Sequence, residues 1–168
     1  IPEEIAIPIL KEILSAIDFA HQQNVVHLDI KPSNIMITKD GDIKILDFGI
    51  SSDLSKEMNE PKMGSPMYMS PEQVEGDNVN HKSDIYSIGI TYHQMLTAHL
   101  PYPKNVSREE LFDIIKTKRL KRINEFVPWG SIESQKIIDK ATKKTPSLRY
   151  VDCKDFTRDV LKVEKSIL

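Results

Sequence analysis

The stretch of sequence that decides the fold is residues 24–34, NVVHLDIKPSN, which directly follows an apolar helical pattern. It brings Asp29, Lys31 and Asn34 together around Pro32. Such a group of polar side chains can belong to an ordinary turn, because Asp and Asn favour turns. The same residue types also serve phosphate chemistry in catalytic loops. The sequence on either side decides between these two interpretations.

A helix is predicted before this stretch and a β-hairpin after it. Pro2 and an acidic first turn favour a helix start, and apolar residues at three- and four-residue spacing continue to near His21. After Asn34, two short apolar runs flank Asp40-Gly41, a typical hairpin turn pair. The hairpin is therefore preceded by Asn34 and followed by Asp47-Phe48-Gly49.

The rest of the chain is predicted to be helical after one long loop. Residues 50–72 lack periodicity and are rich in Ser, Met, Pro and Gly. Loops of this length in compact domains are usually functional. Four further helices are predicted by capping residues and apolar periodicity, beginning at Ser83, Ser107, Ser131 and Asp152. The predicted fold class is mainly α (α+β), with about five main helices and one small hairpin.

Composition limits the kind of protein. The 168 residues are 39% hydrophobic and 29% charged, which fits one globular domain. A net charge of −2 gives no general attraction to nucleic acid, so we expect no nucleic-acid partner. The single cysteine, Cys153, excludes an intrachain disulfide and indicates a reducing compartment. No apolar run approaches the roughly 20 residues of a membrane span, so we expect no membrane segment and a cytoplasmic localisation.

The polar residues around the hairpin suit phosphoryl transfer. That reaction needs a divalent metal on the phosphates, positive charge at the transferring group and an acceptor for the hydroxyl proton. Mg²⁺ prefers oxygen ligands, and we expect Asn34 and Asp47 to supply them. Lys31 can follow the migrating phosphoryl group and Asp29 can accept the proton. Pro32 restricts the loop backbone and lowers the entropy lost in holding these side chains.

Four motifs follow one another in the order and spacing of a known family: His27-x-Asp29-x-Lys31-Pro32-x-Asn34, Asp47-Phe48-Gly49, Ser70-Pro71-Glu72 and Asp84-x-x-Ser87-x-Gly89. They resemble the C-terminal lobe of eukaryotic-type (Hanks-type) protein serine/threonine kinases. The resemblance covers almost all of residues 1–168, and residues 64–91 look most like bacterial serine/threonine kinases. It implies ATP as a cofactor and a protein Ser or Thr hydroxyl as the acceptor.

The resemblance implies a role for each matching residue of the catalytic site. Asp29 corresponds to the catalytic base, and Lys31 to the residue that contacts the transferring phosphate of ATP. Asn34 and Asp47 correspond to the ligands of Mg²⁺ (or Mn²⁺). Ser65 stands in place of the Thr that bridges the catalytic Asp and Lys, and Lys31 at its spacing, together with Ser65, favours Ser/Thr over Tyr substrates.

Further positions have structural roles by the same resemblance. Tyr68 lies with Ser65 in the activation segment. Glu72 is expected to pair with Arg149, and Asp84 to tie a buried helix to the catalytic-loop backbone. His27 and Phe48 are expected to be packing residues of the spine that links the two lobes.

Two departures from the family pattern affect what we expect. Leu28 stands where the family usually has the Arg that receives a phosphate on the activation segment, so this cation is lost. The 168 residues also contain no Gly-rich phosphate loop and no strand lysine, so we expect the N-terminal lobe to be absent from this chain and to be a missing partner. The isolated chain is then expected to be inactive or nearly so.

Other functions stay open at this stage. A pseudokinase or split-kinase scaffold, acting through interactions alone, is the main alternative. A small-molecule kinase of related fold is a weaker one, since those enzymes lack the Lys-Pro step and the Ser-Pro-Glu segment. The basic segment 116–122, KTKRLKR, is either a solvated helix end or a patch for nucleic acid or acidic substrates. His21 and Cys153 receive no role.

Overall fold

The computed structural model describes residues 1–48, 52–53, 65–103 and 105–167. Within these residues the chain forms six α-helices and two small antiparallel sheets, which confirms the predicted mainly helical fold. The helices are α1 (Glu3–Gln22), α2 (Pro71–Glu75), α3 (His81–Thr97), α4 (Arg108–Thr117), α5 (Ile132–Ala141) and α6 (Cys153–Ile167). The strands are β1 (Val25–Val26), β2 (Ile35–Ile37), β3 (Ile43–Ile45) and β4 (Ser52–Asp53).

Helix α3 lies at the centre of the fold and is buried on nearly its whole circumference. Its neighbours α1 and α5 pack against it, and α6 packs against both of them. Gly89 permits the close approach of α5, because a Cβ atom at this position would lie only 2.8 Å from Thr142 Cγ2 and 2.9 Å from Ala141 Cβ. Helix α3 is therefore a rigid central helix with which other segments can form hydrogen bonds.

Strands β2 and β3 form the predicted hairpin, with Ile35 opposite Ile45 and Ile37 opposite Ile43. Gly41 has a φ of 90° in the turn, which favours glycine. At the other end of the hairpin the Leu46 amide donates to the Asn34 carbonyl at 2.8 Å. This register places the residues that follow Leu46 beside the loop that ends at Asn34.

The structure differs from the sequence prediction around residues 65–83. Part of the predicted loop is helical, since α2 begins at Pro71 behind the Ser70–Gln73 capping box. Helix α3 begins at His81, two residues before the predicted start, because the Asn80 side chain accepts the Lys82 N–H at 2.8 Å and caps the helix. Strands β1 and β4 were not predicted, because they pair residues far apart in sequence.

None of the helices in the described ranges combines the length and apolar character needed to cross a membrane.

Candidate active site

The loop of residues 27–34 is hydrogen-bonded to helix α3 through one buried carboxylate. Asp84 is fully buried, and its two oxygens accept the backbone N–H groups of His27 and Leu28, each at 2.8 Å. The Leu28 carbonyl accepts the side-chain amide of Gln73 at 3.0 Å. These contacts hold Leu28 at a φ of 65°, a region that a bulky side chain rarely adopts. The loop conformation is therefore set by α2 and α3 as well as by its own residues.

His21, which sequence analysis left without a role, also contacts this carboxylate. Its Nε2 atom donates to Asp84 Oδ2 at 2.7 Å, and its side chain is only 10% exposed. His21 and Asp84 are 63 residues apart, and no local spacing in the sequence indicates the contact. His21, at the end of α1, thus helps to position the Asp84 carboxylate that holds the loop.

Replacing His21 with alanine should lower the free energy of unfolding by about 1.5–3 kcal/mol, the usual range for a hydrogen bond to a charged group. Asp84 would keep its two backbone donors but lose the third. Urea unfolding of the chain measures the change. His81→Ala is the matched control, because within the described part of the chain the His81 ring contacts the Val151 carbonyl at 3.0 Å and the His21 ring in a T-shaped arrangement, and makes no contact with Asp84. Equal losses in the two variants would contradict the assignment.

Asp29 is the centre of the polar group, and its carboxylate is contacted from three directions. The Ser65 N–H donates to Oδ1 at 2.7 Å. On the other oxygen, Lys31 Nζ lies 2.9 Å from Oδ2 and Asn34 Nδ2 donates to Oδ2 at 3.2 Å. The residue is 5% exposed. The structure therefore brings Asp29, Lys31, Asn34 and Ser65 together, although Ser65 is 36 residues from Asp29.

These contacts keep Asp29 ionised. Burial raises the pKa of the carboxyl, but hydrogen bonds from the Ser65 amide and from Lys31, together with the lysine charge, lower that pKa by more. The net pKa lies below its ordinary value. Near neutral pH Asp29 is a carboxylate that can accept a proton.

Asn34 is oriented by Asp29. Its Nδ2 atom donates to the Asp29 carbonyl at 2.9 Å and to the Asp29 carboxylate at 3.2 Å, which uses both amide hydrogens. No described residue donates to the side-chain oxygen Oδ1 of Asn34, so that oxygen is available to a cation. Asp47 is exposed, has a φ of 57°, and follows Leu46, which is bonded to Asn34. Two oxygen-bearing side chains thus flank the open end of the hairpin.

These two residues fit a cation that is shared with a ligand. Within the described ranges no three His, Cys, Asp or Glu side chains cluster in a way that could hold a metal ion by themselves. Mg²⁺ commonly takes one or two protein ligands and completes its shell with water and phosphate oxygens. The donor types at Asn34 and Asp47 agree with that habit.

His27 is a packed residue beneath the loop. Its Nδ1 atom accepts the Asp29 N–H at 3.2 Å, which leaves Nε2 as the atom that donates to the Leu46 carbonyl at 2.8 Å. Its ring meets the Phe48 ring edge-on, with centroids 4.6 Å apart. His27 is fully buried, so it joins the loop to the end of the hairpin and does not face a ligand.

Ser65 and Tyr68 lie on the far side of Asp29. Lys31 Nζ donates to the Ser65 hydroxyl, so Lys31 touches both Ser65 and Asp29. Tyr68 OH donates to Gln94 Oε1 at 2.5 Å, and Ser87 Oγ donates to the Tyr68 carbonyl at 2.7 Å. Helix α3 therefore supports this segment as well as the loop. Gly49, Ser51 and Ser55 of the intervening segment lie outside the described residues.

Glu72 and Arg149 form a buried ion pair below this segment. Arg149 donates to the two Glu72 oxygens at 2.7 and 2.8 Å, and is itself 3% exposed. Its remaining N–H groups reach the carbonyls of residues 82, 143 and 144. Burial raises the pKa of Glu72, but the Arg149 guanidinium and the Ser83 hydroxyl lower that pKa by more. The pair fixes α2 against the segment that joins α5 to α6.

The sequence matches the protein kinase domain family over residues 1–165. The chain belongs to this family. Serine/threonine-protein kinase PrkC of Bacillus subtilis is 40% identical over 164 residues, which cover 95% of this chain and 25% of PrkC.

Other bacterial members of the protein kinase domain family show similar likeness. A probable serine/threonine-protein kinase PknB of Lactococcus lactis is 35% identical over 166 residues, covering 92% of this chain and 25% of the relative. Serine/threonine-protein kinase PknB of Mycobacterium leprae is 30% identical over 172 residues, covering 96% and 26%. The chain spans about a quarter of the length of these curated relatives.

Proposed function

We propose that residues 1–168 are the C-terminal lobe of a protein serine/threonine kinase, which transfers the γ-phosphate of ATP to a protein hydroxyl when an N-terminal lobe completes it. The observation that carries this proposal is the buried Asp29 carboxylate, contacted by Lys31, Asn34 and the Ser65 amide at 2.9, 3.2 and 2.7 Å. Membership of the kinase family supports it.

Asp29 acts in this proposal as the acceptor of the substrate hydroxyl proton. Its lowered pKa keeps the carboxylate ionised, and its contacts fix its position before a substrate arrives. Lys31 carries a positive charge, and its ammonium lies 2.9 Å from Asp29 Oδ2. Positioned charge of this kind supplies most of the rate in phosphoryl transfer.

Asn34 and Asp47 would hold Mg²⁺ (or Mn²⁺) together with the phosphates of ATP. The metal would neutralise phosphate charge when bound. Asn34 contributes its side-chain oxygen Oδ1, because the hydrogens of its side-chain amide are already used by Asp29. The hydrogen bonds from Asn34 to Asp29 thus connect the proposed metal ligand to the proposed base.

Ser65 supports serine and threonine as acceptors. Its amide and hydroxyl contact Asp29 and Lys31, so the activation segment reaches the base directly. By the family resemblance, Ser65 at this position together with Lys31 favours serine and threonine over tyrosine. The names of the relatives as serine/threonine-protein kinases agree with this.

The exposed apolar side chains of the hairpin support the proposal that a second lobe covers this site. Met36, Ile37 and Leu46 are 44%, 55% and 38% exposed beside Asn34 and Asp47. Exposed apolar groups next to a functional site commonly mark a surface that another body covers. In the proposal this body is the N-terminal lobe with its bound nucleotide.

The isolated chain should therefore transfer phosphate at less than about one hundredth of the rate of the intact kinase, meaning residues 1–168 preceded by an N-terminal lobe. The reason is that this lobe supplies the Gly-rich loop and strand lysine that position ATP. Transfer of labelled phosphate from ATP to a serine peptide measures both rates.

The control is the intact kinase with its strand lysine replaced by methionine, which should be as inactive as the isolated chain. A full rate from the 168 residues alone would overturn the requirement for a second lobe. No transfer by the intact kinase would overturn the catalytic proposal in favour of the scaffold alternative.

A further inference from the structure

Lys144 is a half-buried lysine in the segment that joins α5 to α6. None of the ion pairs formed among the described residues involves it. Its Nζ atom donates instead to the backbone carbonyl of Ile115 at 2.6 Å. This carbonyl lies in the last turn of α4, where carbonyls lack a partner within the helix. An uncharged amine can also donate to a carbonyl, so this contact does not require Lys144 to be charged.

The surroundings of Lys144 disfavour its charge. Arg149 Cζ and Lys144 Nζ lie 5.1 and 5.9 Å from the centre of the Tyr86 ring, so two cations border one buried ring. Glu72, the carboxylate that faces Arg149, is already paired with it at 2.7 and 2.8 Å. Burial and the neighbouring guanidinium lower the pKa of Lys144 to about 8. At pH 7.4 roughly one fifth of Lys144 is then the uncharged, nucleophilic amine, against about one in a thousand for an ordinary lysine.

Lys144 also lines a pocket between α2 and the segment that joins α5 to α6; we call it the Lys144 pocket. Its volume is about 330 Å³, and Pro71, Pro146, Glu75 and Asp77 are among its other lining residues. Glu75 and Asp77 are exposed, and neither takes part in the ion pairs found within the described ranges. The pocket has room for a small acyl group, while its carboxylates repel an anion. It therefore suits an acyl donor whose reacting end is uncharged.

We propose that Lys144 is a modification site, acylated by small acyl thioesters that enter the Lys144 pocket. The uncharged Nζ attacks the thioester carbonyl, a C–N bond forms and the C–S bond breaks. The proton released by the nitrogen leaves with the thiol. The products are an amide at Nζ and a free thiol, so the reaction needs no further reactant. A thioester is favoured over an acyl phosphate because Glu75 and Asp77 would repel the phosphate.

Acylation of Lys144 changes the end of α4. The new amide keeps one N–H that can donate to the Ile115 carbonyl, but the positive charge of Lys144 near the helix C-terminus is lost. The Lys118 N–H is bonded to the Ile114 carbonyl at 3.0 Å and reports on the stability of this turn. Its hydrogen exchange should become about two- to fivefold faster after acylation, the effect of removing one cation from a helix end.

The test treats the intact kinase with S-acetyl-N-acetylcysteamine, an uncharged thioester, and measures the acetylation rate of each lysine by peptide mass spectrometry. Lys143 is the matched internal control, because it is the exposed neighbour of Lys144 and likewise forms no ion pair within the described part of the chain. Lys144 should be acetylated about tenfold faster than Lys143, since its larger share of uncharged amine outweighs its lower exposure. In the urea-unfolded protein the two rates should become equal.

Two further comparisons separate the parts of the inference. Acetyl phosphate should acetylate Lys144 and Lys143 at rates within about twofold of each other, because the pocket repels its charge. Lys144→Gln should quicken Lys118 exchange as acetylation does, whereas Lys144→Arg, which keeps the charge, should not. Equal rates at the two lysines with the thioester, or a preference that persists in the unfolded protein, would overturn the inference. So would an equal preference with acetyl phosphate, or Lys118 exchange that is unchanged in the acetylated protein and in Lys144→Gln.

Discussion

Replacing Asp29 with asparagine should lower the turnover of the intact kinase by about 10²-fold or more, the scale of general base catalysis. The amide cannot accept the hydroxyl proton, while its oxygen can still accept the Ser65 N–H that the carboxylate accepts at 2.7 Å. We therefore expect kcat to fall while the loop keeps its path. Steady-state transfer to a serine peptide at saturating ATP measures the effect.

The matched control is Asp40→Asn in the exposed hairpin turn, which makes the same chemical change away from the site. It should leave kcat within about twofold, because surface substitutions have small effects. Both variants should be fully folded under the assay conditions, shown by urea unfolding, so that a loss of rate is not a loss of fold. Asp29→Asn should unfold at a lower urea concentration than wild type, because it loses the charge contacts of Asp29 with Lys31 and Asn34. An Asp29→Asn enzyme that turns over near the wild-type rate would reject the role of Asp29 as the base.

Replacing Arg149 with methionine should lower the free energy of unfolding by about 3–5 kcal/mol, because Glu72 would be left as an uncompensated buried charge. In the native chain Arg149 meets both Glu72 oxygens and three carbonyls. Urea unfolding of the chain measures the loss. Adding Glu72→Met should recover part of it, since two apolar side chains can replace a buried pair.

Arg158→Met is the matched control, because the Arg158 side chain is 71% exposed and pairs with Asp155 at the surface. It should cost less than about 1 kcal/mol. The pH dependence is a second readout. The pKa of Glu72 is lowered from 4.5 in the folded chain, so its stabilisation is present above about pH 4.5 and is lost as the pH falls through the folded pKa. The gap between wild type and Arg149→Met should narrow in that range, and a constant gap would contradict the ion-pair explanation.

Local sequence signals predicted those parts of the fold that depend on neighbouring residues. The apolar period of α1, the Asp40-Gly41 turn and the capping residues of α4 and α5 all act within a few residues, and the structure contains each of these elements. The Ser70–Gln73 capping box is also a local signal, and it would have predicted α2 within the expected loop. Helix boundaries were predicted less accurately. Helix α3, for example, begins at His81 behind its cap Asn80, two residues before the predicted start.

Contacts between distant residues could not be predicted in the same way. The hydrogen bond from His21 to Asp84 spans 63 residues, and the pairing of β1 with β4 joins Val25 to Asp53. No residue spacing in the sequence predicts either contact, because each depends on how distant segments pack in the folded chain. The roles of Asp29, Lys31, Asn34 and Asp47 stay predictions until the variants are measured.

The left-handed conformation of Leu28 has a consequence for how this loop responds to its surroundings. Leu28 is 5% exposed, and its backbone is held by Asp84 at 2.8 Å and by Gln73 at 3.0 Å. Burial of an uncharged side chain is far less sensitive to ionic strength than a pairing of surface charges. We therefore expect the backbone around Leu28 to keep one conformation at low and at high salt concentration. Leu28 also has no hydroxyl that could carry a phosphate, so dephosphorylation cannot act at this residue.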